Sequence, residues 1–171
     1  RAAVVKDPSL TTVAIDCRNA FNAILRRAVY NGVVDLGFEW CLNAFAFSYA
    51  NPSSAIYVDA EKHSHIIEST RGTKQGDSLA GFLFCAALQT TLEKIAADHP
   101  TVRIYAYMDD VSMTGPVAGV EAAVRDLQLL FRDLGLELNP DKCDVYGKCE
   151  ESAAFAERFN FRHSTIGVKI L

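Results

Sequence analysis

"IYAYMDDVSM", residues 104–113, sets two adjacent aspartates behind a run in which apolar and aromatic residues alternate with small ones. That two-residue period is the mark of a half-buried strand. Residues 101–107 ("TVRIYAY") are therefore read as a strand, and 111–115 ("VSMTG") as its hairpin partner. Asp109 then stands at the hairpin tip, with Asp110 beside it. Adjacent carboxylates repel, and dehydrating either is costly unless a cation offsets the charge. Aspartate is also common in turns, so spacing alone favours a plain polar tip facing water.

The rest of the chain is read outward from this hairpin. "LTTVAID", 10–16, alternates and is β-branched, the pattern of a strand ending at Asp16. A helix is expected over about residues 22–34, with Gly37 as its stop. "FEWCLNAFAFSYA", 38–50, is apolar nearly all round and predicts a buried helix, ended by Asn51-Pro52. "SAIYVDA" and "SHIIEST" predict a hairpin around Glu61 and Lys62. After the loop "GTKQG", 72–76, a long helix is expected over 77–97, with Asp77 or Ser78 as N-cap. Val117, Val120, Val124, Leu127, Leu130, Phe131 and Leu134 recur at helical spacing, an amphipathic helix closed by Gly135. Short strands at 136–140 and 142–147, an Ala-rich helix and a terminal strand complete the order. This is an α+β, split βαβ (ferredoxin-like) arrangement with an insertion, its helices on one face of an antiparallel sheet. If the strand ending at Asp16 neighbours the hairpin, three carboxylates converge on one edge. Oxygen ligands without Cys or His suit Mg²⁺ or Mn²⁺.

The bulk properties set limits. With 171 residues, half of them hydrophobic, the chain affords a real core. It starts at Arg1 and stops within an apolar run, as expected of a piece of a longer protein. No apolar run is long enough to span a bilayer and no signal segment opens the chain. Five cysteines, an odd number with no CxxC pair, argue for reduced thiols in an intracellular protein. Cys17, Cys41 and Cys85 lie in apolar settings and read as core residues. The net charge of −4 argues mildly against a nucleic-acid surface.

Four blocks occur in order: "DCRNAFN" (16–22), "GTKQGDSLAGFLF" (72–84), "YMDD" (107–110) and "GLELNPDKC" (135–143). Together they resemble the palm of reverse transcriptases, RNA-directed DNA polymerases, over most of the chain from about residue 10. The long interval before Gln75 is most like enzymes of retrotransposons without long terminal repeats, or of group II introns. "FRHSTIGVKIL", 161–171, looks like the start of the primer-grip block. The resemblance implies palm at 1–22 and 75–171 and a partial fingers insertion at 23–74.

It also implies roles. Asp16, Asp109 and Asp110, with the Cys17 carbonyl, match the ligands of two Mg²⁺ or Mn²⁺ ions, the clamp of in-line phosphoryl displacement. Backbone amides of Arg18, Asn19, Ala20 and Phe21 match receivers of triphosphate oxygens. The Phe21 ring matches a steric gate against the ribose 2′-hydroxyl; alone it is an ordinary core phenylalanine. Gln75 and Gly76 match the loop that meets the incoming nucleotide and templating base, although Ser78 and Ala80-Gly81 stand where the family often carries proline and Ser-Pro. Lys142 matches a proposed general acid for pyrophosphate. Tyr107 and Met108 are placed near the primer end, and Arg71 and Lys74 near nucleic-acid phosphates. His63, His65, His99 and His163 receive no role.

The implied partners are an RNA template, a DNA or RNA primer and dNTPs, with no membrane. An intracellular setting follows, nuclear for a eukaryotic element. The family's basic surfaces lie largely in the remaining fingers and the thumb, which answers the acidic balance; the piece alone is expected to fold but extend primers weakly or not at all. An RNA-dependent RNA polymerase is the first alternative, opposed by Phe21. A non-catalytic palm scaffold is opposed by the three intact carboxylates. A ferredoxin-like binding module leaves the ordered blocks unexplained.

Overall fold

The computed structural model describes residues 7, 9–74 and 76–166. A five-stranded sheet carries the order β4-β5-β1-β6-β7, from β1 (Leu10–Ile15), β4 (Arg103–Tyr107), β5 (Asp110–Pro116), β6 (Asp144–Tyr146) and β7 (Arg162–Ser164). β1 is central and antiparallel to both β5 and β6, and β4 is antiparallel to β5. β6 and β7 run parallel, joined through a helix, so the sheet is mostly rather than wholly antiparallel. A separate hairpin, β2 (Ser53–Val58) with β3 (Ser64–Ser69), turns through Asp59–Lys62 as the sequence predicts.

Side-chain alternation fixes which face of the sheet is core. Val13 pairs with Met113 on one side and Val145 on the other, and all three are fully buried. Ile15 and Val111 form the next apolar pair along the same face. Helices cover this face: α4 (Ala80–Asp98), α5 (Val117–Asp133) and α6 (Glu150–Phe159), with α2 (Arg26–Asp35) packed on α4. Leu83, Ile95, Val120, Val124, Leu127 and Phe155 project from these helices into the common core. A one-residue slip of β1 would turn all of this apolar set outward, so the register is strongly specified.

The amphipathic helix α5 ends as the sequence predicts. Gly135, at φ +81°, occupies the left-handed position. Leu136 N–H bonds to the Phe131 carbonyl and Gly135 N–H to the Arg132 carbonyl, a Schellman motif. The reversal sends residues 136–139 back along the end of β1.

Four local expectations are corrected. The helix expected over 22–34 is two helices, α1 (Ala20–Ala23) and α2, separated by extended backbone at Ile24 and Leu25. Tertiary bonds replace helical ones there: Leu25 N–H reaches the Leu134 carbonyl and the Ile24 carbonyl accepts Gly72 N–H. The segment 38–50 is helical, as a short 3₁₀ turn and α3 (Leu42–Tyr49), but it is not buried all round. Cys41, Phe45 and Tyr49, four residues apart, face inward, whereas Trp40 is 73% and Phe47 95% exposed. The strand expected at 136–140 reduces to one bridge, Leu138 with Cys17, before a 3₁₀ turn at Pro140–Lys142. Cys85 lies exposed on α4 while Cys17 and Cys41 are buried, and all five thiols are free. Part of the expected primer-grip block, residues 167–171, lies outside the described residues. Among the described residues no helix is long and apolar enough to cross a membrane.

The α2–α4 contact gives a direct test of the packing. A Cβ added at Gly32 would lie 2.3 Å from the Ala86 carbonyl oxygen, so one helix must move to admit it. Gly32→Ala is expected to destabilise the chain by about 2 kcal/mol or more, read as a lowered denaturant midpoint. An unchanged midpoint would contradict the close approach.

Candidate active site

The chain segments around Asp16 meet at one end of the sheet, and main-chain hydrogen bonds hold them there. The Asp16 carbonyl accepts Asn139 N–H at 2.8 Å, and Arg18 N–H reaches the Glu137 carbonyl at 2.9 Å. Asp16 N–H also bonds to the Cys143 sulfur. The "DCRNAFN" and "GLELNPDKC" blocks are therefore tied together by two main-chain bonds and the Cys143 thiol. Asn139 makes one of these ties, and its carbonyl also accepts Lys142 and Cys143 N–H within its own block. A residue acting through its main chain leaves no signal in side-chain chemistry.

The hairpin tip is the second component. The β4–β5 ladder closes on the pair Tyr107–Asp110, leaving Met108 and Asp109 as a two-residue turn. Met108 takes φ +54°, a position normally given to glycine. A bulky residue held there costs about 1–3 kcal/mol. The β1–β5 ladder pairs Ile15 with Val111, and one further step sets Asp16 opposite Asp110.

Electrostatics tie the three carboxylates together. Burial, then the negative charges of Asp109 and Asp16, raise the Asp110 pKa above the ordinary carboxylate value. Burial pushes the neighbouring Cys17 thiol up to about 12, with Cys143, Asp16 and Asp109 adding to the effect, so Cys17 is an inert thiol at neutral pH. Asp16 Oδ1 is buried and has no hydrogen-bond partner. Leaving such an oxygen desolvated costs about 1–3 kcal/mol, more when it is charged, and a bound cation offsets that cost. The acceptor-only chemistry of these oxygens fits a hard divalent ion. Among the described residues no group of three or more His, Cys, Asp or Glu side chains is placed so that it could hold a metal ion.

The other candidates fall around this centre. Phe21 is half-buried, its ring stacked on Phe84 at 4.4 Å, and its carbonyl accepts Thr73 N–H at 2.7 Å. Asn19 adopts the left-handed conformation and Ala20 opens the short α1. Lys142 is exposed and lines a cleft with Cys17, Arg18, Asn19, Asn139 and Asp141. Tyr107 and Met108 are exposed beside the aspartates. Arg71 is exposed. Lys74 points back into the fold, its ammonium donating to the Ser48 carbonyl at 2.8 Å and lying over the Tyr49 ring. Gly76 has φ +90°, and Gln75 lies outside the described residues.

Tyr49 braces the chain on either side of Gly76, at Lys74 and Asp77. Its hydroxyl donates to Asp77 Oδ2 at 2.5 Å and accepts Lys74 N–H at 3.1 Å. Asp77 Oδ1 accepts Leu79 N–H two residues on, but α4 starts at Ala80 with Leu79 as N-cap and no side-chain cap. The expected capping by Asp77 or Ser78 is thus corrected: the Asp77 carboxylate closes the turn before the helix instead. Burial, then the bond to Asp77, pushes the Tyr49 pKa up to about 12. Hydrogen bonds from Tyr49 and from Leu79 lower the Asp77 pKa below 3.8. The sequence contained a signal for this role, a tyrosine hydroxyl within an apolar helix, since a buried hydroxyl needs a partner.

Tyr49→Phe is expected to lower stability by about 1–2 kcal/mol and to loosen the loop, read as faster amide exchange at Lys74. The pH dependence has a definite sign. With its folded pKa depressed, ionised Asp77 favours the folded state fully above pH 3.8 and loses that contribution as pH falls through its folded value. The variant should therefore show a shallower loss of stability below pH 3.8. Identical acid limbs would contradict the pairing.

Comparison with known proteins adds independent evidence. Residues 4–155 match the family model described as reverse transcriptase (RNA-dependent DNA polymerase). The chain is 30% identical over 132 residues to the retrotransposable element SLACS 132 kDa protein of Trypanosoma brucei gambiense, covering 77% of this chain and 11% of that protein. It is 23% identical over 148 residues to the retrovirus-related Pol polyprotein from type-1 retrotransposable element R2 of Popillia japonica, covering 81% of this chain and 24% of that protein. The chain thus spans a small part of these relatives. Among solved structures, apo telomerase from Candida tropicalis truncated from its C-terminal domain superposes with TM-score 0.65 at 13% identity, over 81% of this chain and 31% of that one. Telomerase from Candida albicans in complex with a fragment of telomeric RNA gives 0.63 at 13% identity, over 81% and 27%. At this identity the structural likeness concerns the fold.

Proposed function

The chain belongs to the reverse transcriptase family, and from that premise we propose that it is the catalytic palm, with part of the fingers, of an RNA-directed DNA polymerase from a retrotransposon-type element. Residues 1–22 and 75–171 form the palm and 23–74 the fingers insertion in this reading. The observation that carries the proposal is the buried, unpartnered Asp16 Oδ1 beside the Asp109–Asp110 pair. The substrates are an RNA template, a DNA or RNA primer and dNTPs.

Asp16, Asp109 and Asp110, with the Cys17 carbonyl, are the residues to hold two Mg²⁺ or Mn²⁺ ions. Such ions, when bound, activate the primer 3′-hydroxyl and neutralise charge at the α-phosphate. The chain's own residues position the reactants. Backbone amides of Arg18 to Phe21 receive triphosphate oxygens, and the Gln75–Gly76 loop, braced by Tyr49, meets the base. Phe21, fixed by Phe84 behind it and Thr73 beside it, presents its remaining ring face where a 2′-hydroxyl would clash. Lys142, with no side-chain partner among the described residues, is free to give a proton to the leaving pyrophosphate. Arg71 and the exposed Tyr107–Met108 edge face nucleic acid. Lys74 contributes chiefly by packing on Tyr49.

In the full-length parent protein, Asp109→Asn is expected to reduce primer extension by on the order of a hundredfold or more; near-normal extension would overturn the assignment. Phe21→Ala should leave dNTP incorporation measurable while sharply raising rNTP incorporation. Equal use of dNTPs and rNTPs by the unaltered parent would favour an RNA polymerase instead.

A further inference from the structure

Next to the cleft that holds Lys142, and sharing Arg18 and Asn19 with it, lies a cleft of about 420 Å³ lined also by Asn22, Arg71 and Arg132. The arginines come from three separate segments that backbone hydrogen bonds hold together. Arg18 N–H bonds to the Glu137 carbonyl, Leu25 N–H to the Leu134 carbonyl, Gly72 N–H to the Ile24 carbonyl and Thr73 N–H to the Phe21 carbonyl. Gly72 presses against Asn22 so closely that an added Cβ would lie 2.5 Å from its carbonyl oxygen, at φ +79°. The backbone from which the three side chains project is therefore fixed.

Among the described residues, Arg18, Arg71 and Arg132 make no side-chain hydrogen bond or ion pair, whereas Arg125 and Arg158 engage Glu121, Arg162 engages Asp144 and Arg26 engages backbone carbonyls. The lining includes one carboxylate residue, Glu137, and it bridges none of the three. An excess of positive charge is thus gathered in one concavity of a chain whose net charge is −4. Arginine does not relieve such repulsion by losing a proton. Its planar fork does match phosphate oxygens in pairs.

We propose that this cleft binds a diphosphate-class anion, inorganic pyrophosphate in the setting of the polymerase reaction. Two linked phosphoryl groups supply enough charge and enough acceptor oxygens to engage three forks together. Arg18 and Asn19 line both this cleft and the adjoining one that holds Cys17 and Lys142, so the two are continuous. An anion leaving the proposed reaction centre passes from Lys142 to Arg18 and then to Arg71 and Arg132. Assigning pyrophosphate as the source rests on the polymerase reading; the anion site itself does not.

The test is calorimetric titration of the chain with inorganic pyrophosphate in EDTA, so that no metal mediates binding and no synthesis is read. Saturable binding is expected, weakened about tenfold by Arg132→Gln and likewise by Arg71→Gln. Arg132→Lys should recover part of the loss. Arg125→Gln should bind as the unaltered chain does. Thermal melts identify a variant that fails to fold, and the two arginines lie on separate segments, so either suffices. Absent binding, or binding by both glutamine variants as tight as that of the unaltered chain, would overturn the proposal. So would a short single-stranded DNA that binds with Arg132-dependent affinity while pyrophosphate does not, which would mark a groove for backbone phosphates. Pyrophosphate binding here, alongside a full-length parent inactive in primer extension, would leave the site standing and remove only the polymerase reading.

Discussion

A carboxylate oxygen shut away from water without a hydrogen bond is among the least favourable groups a fold can contain, and Asp16 Oδ1 is such an atom. Its position follows from the placing of β1 at the centre of the sheet, paired on both edges. The apolar triple Val13, Met113 and Val145 locks the register, and that register carries Asp16 to the sheet end beside Asp110. Hydrophobic burial on one face thus supplies the free energy that holds mutually repelling carboxylates together at its end. Burial, and after it the charges of Asp109 and Asp16, raise the Asp110 pKa, and a bound cation would relieve both penalties.

Around this centre the fold uses main chain for rigidity and leaves side chains free for chemistry. Residues 16–25, 71–73 and 134–139 are joined by N–H···O=C bonds outside the regular helices and sheets. Side chains on the same segments, among them Arg18 and Arg71, remain exposed, as does Lys142 in the turn that follows. Tyr49 extends the principle to the loop before α4, where a single hydroxyl links Asp77 to the Lys74 amide.

Much of this architecture was legible in the sequence because its signals are local. The alternation of "LTTVAID" and "IYAY", the helical spacing of 117–134 and the glycine after it each declare one element, and the structure contains them. The break at Ile24–Leu25 was not legible, since it depends on partners at Gly72 and Leu134, distant in sequence. The exposure of Trp40 and Phe47 was misread for a related reason: apolarity states what a residue favours, not whether a layer exists to cover it. The parallel pairing of β6 with β7 likewise arises from how α6 crosses between them. Of the site, the carboxylates and Phe21 announce themselves by type and order. Arg132 does not, because a charged residue on the outer side of an amphipathic helix looks the same whether it meets water or a ligand.

The central claim is that Asp16, Asp109 and Asp110 together bind divalent metal. Its most direct test is a crystal of this chain soaked in Mn²⁺ and measured for anomalous scattering. The account predicts a manganese peak in contact with Asp16 Oδ1 and with a carboxylate of the Asp109–Asp110 pair. Full soaking with no peak there, and with the hairpin carboxylates turned into solvent away from Asp16, would contradict it.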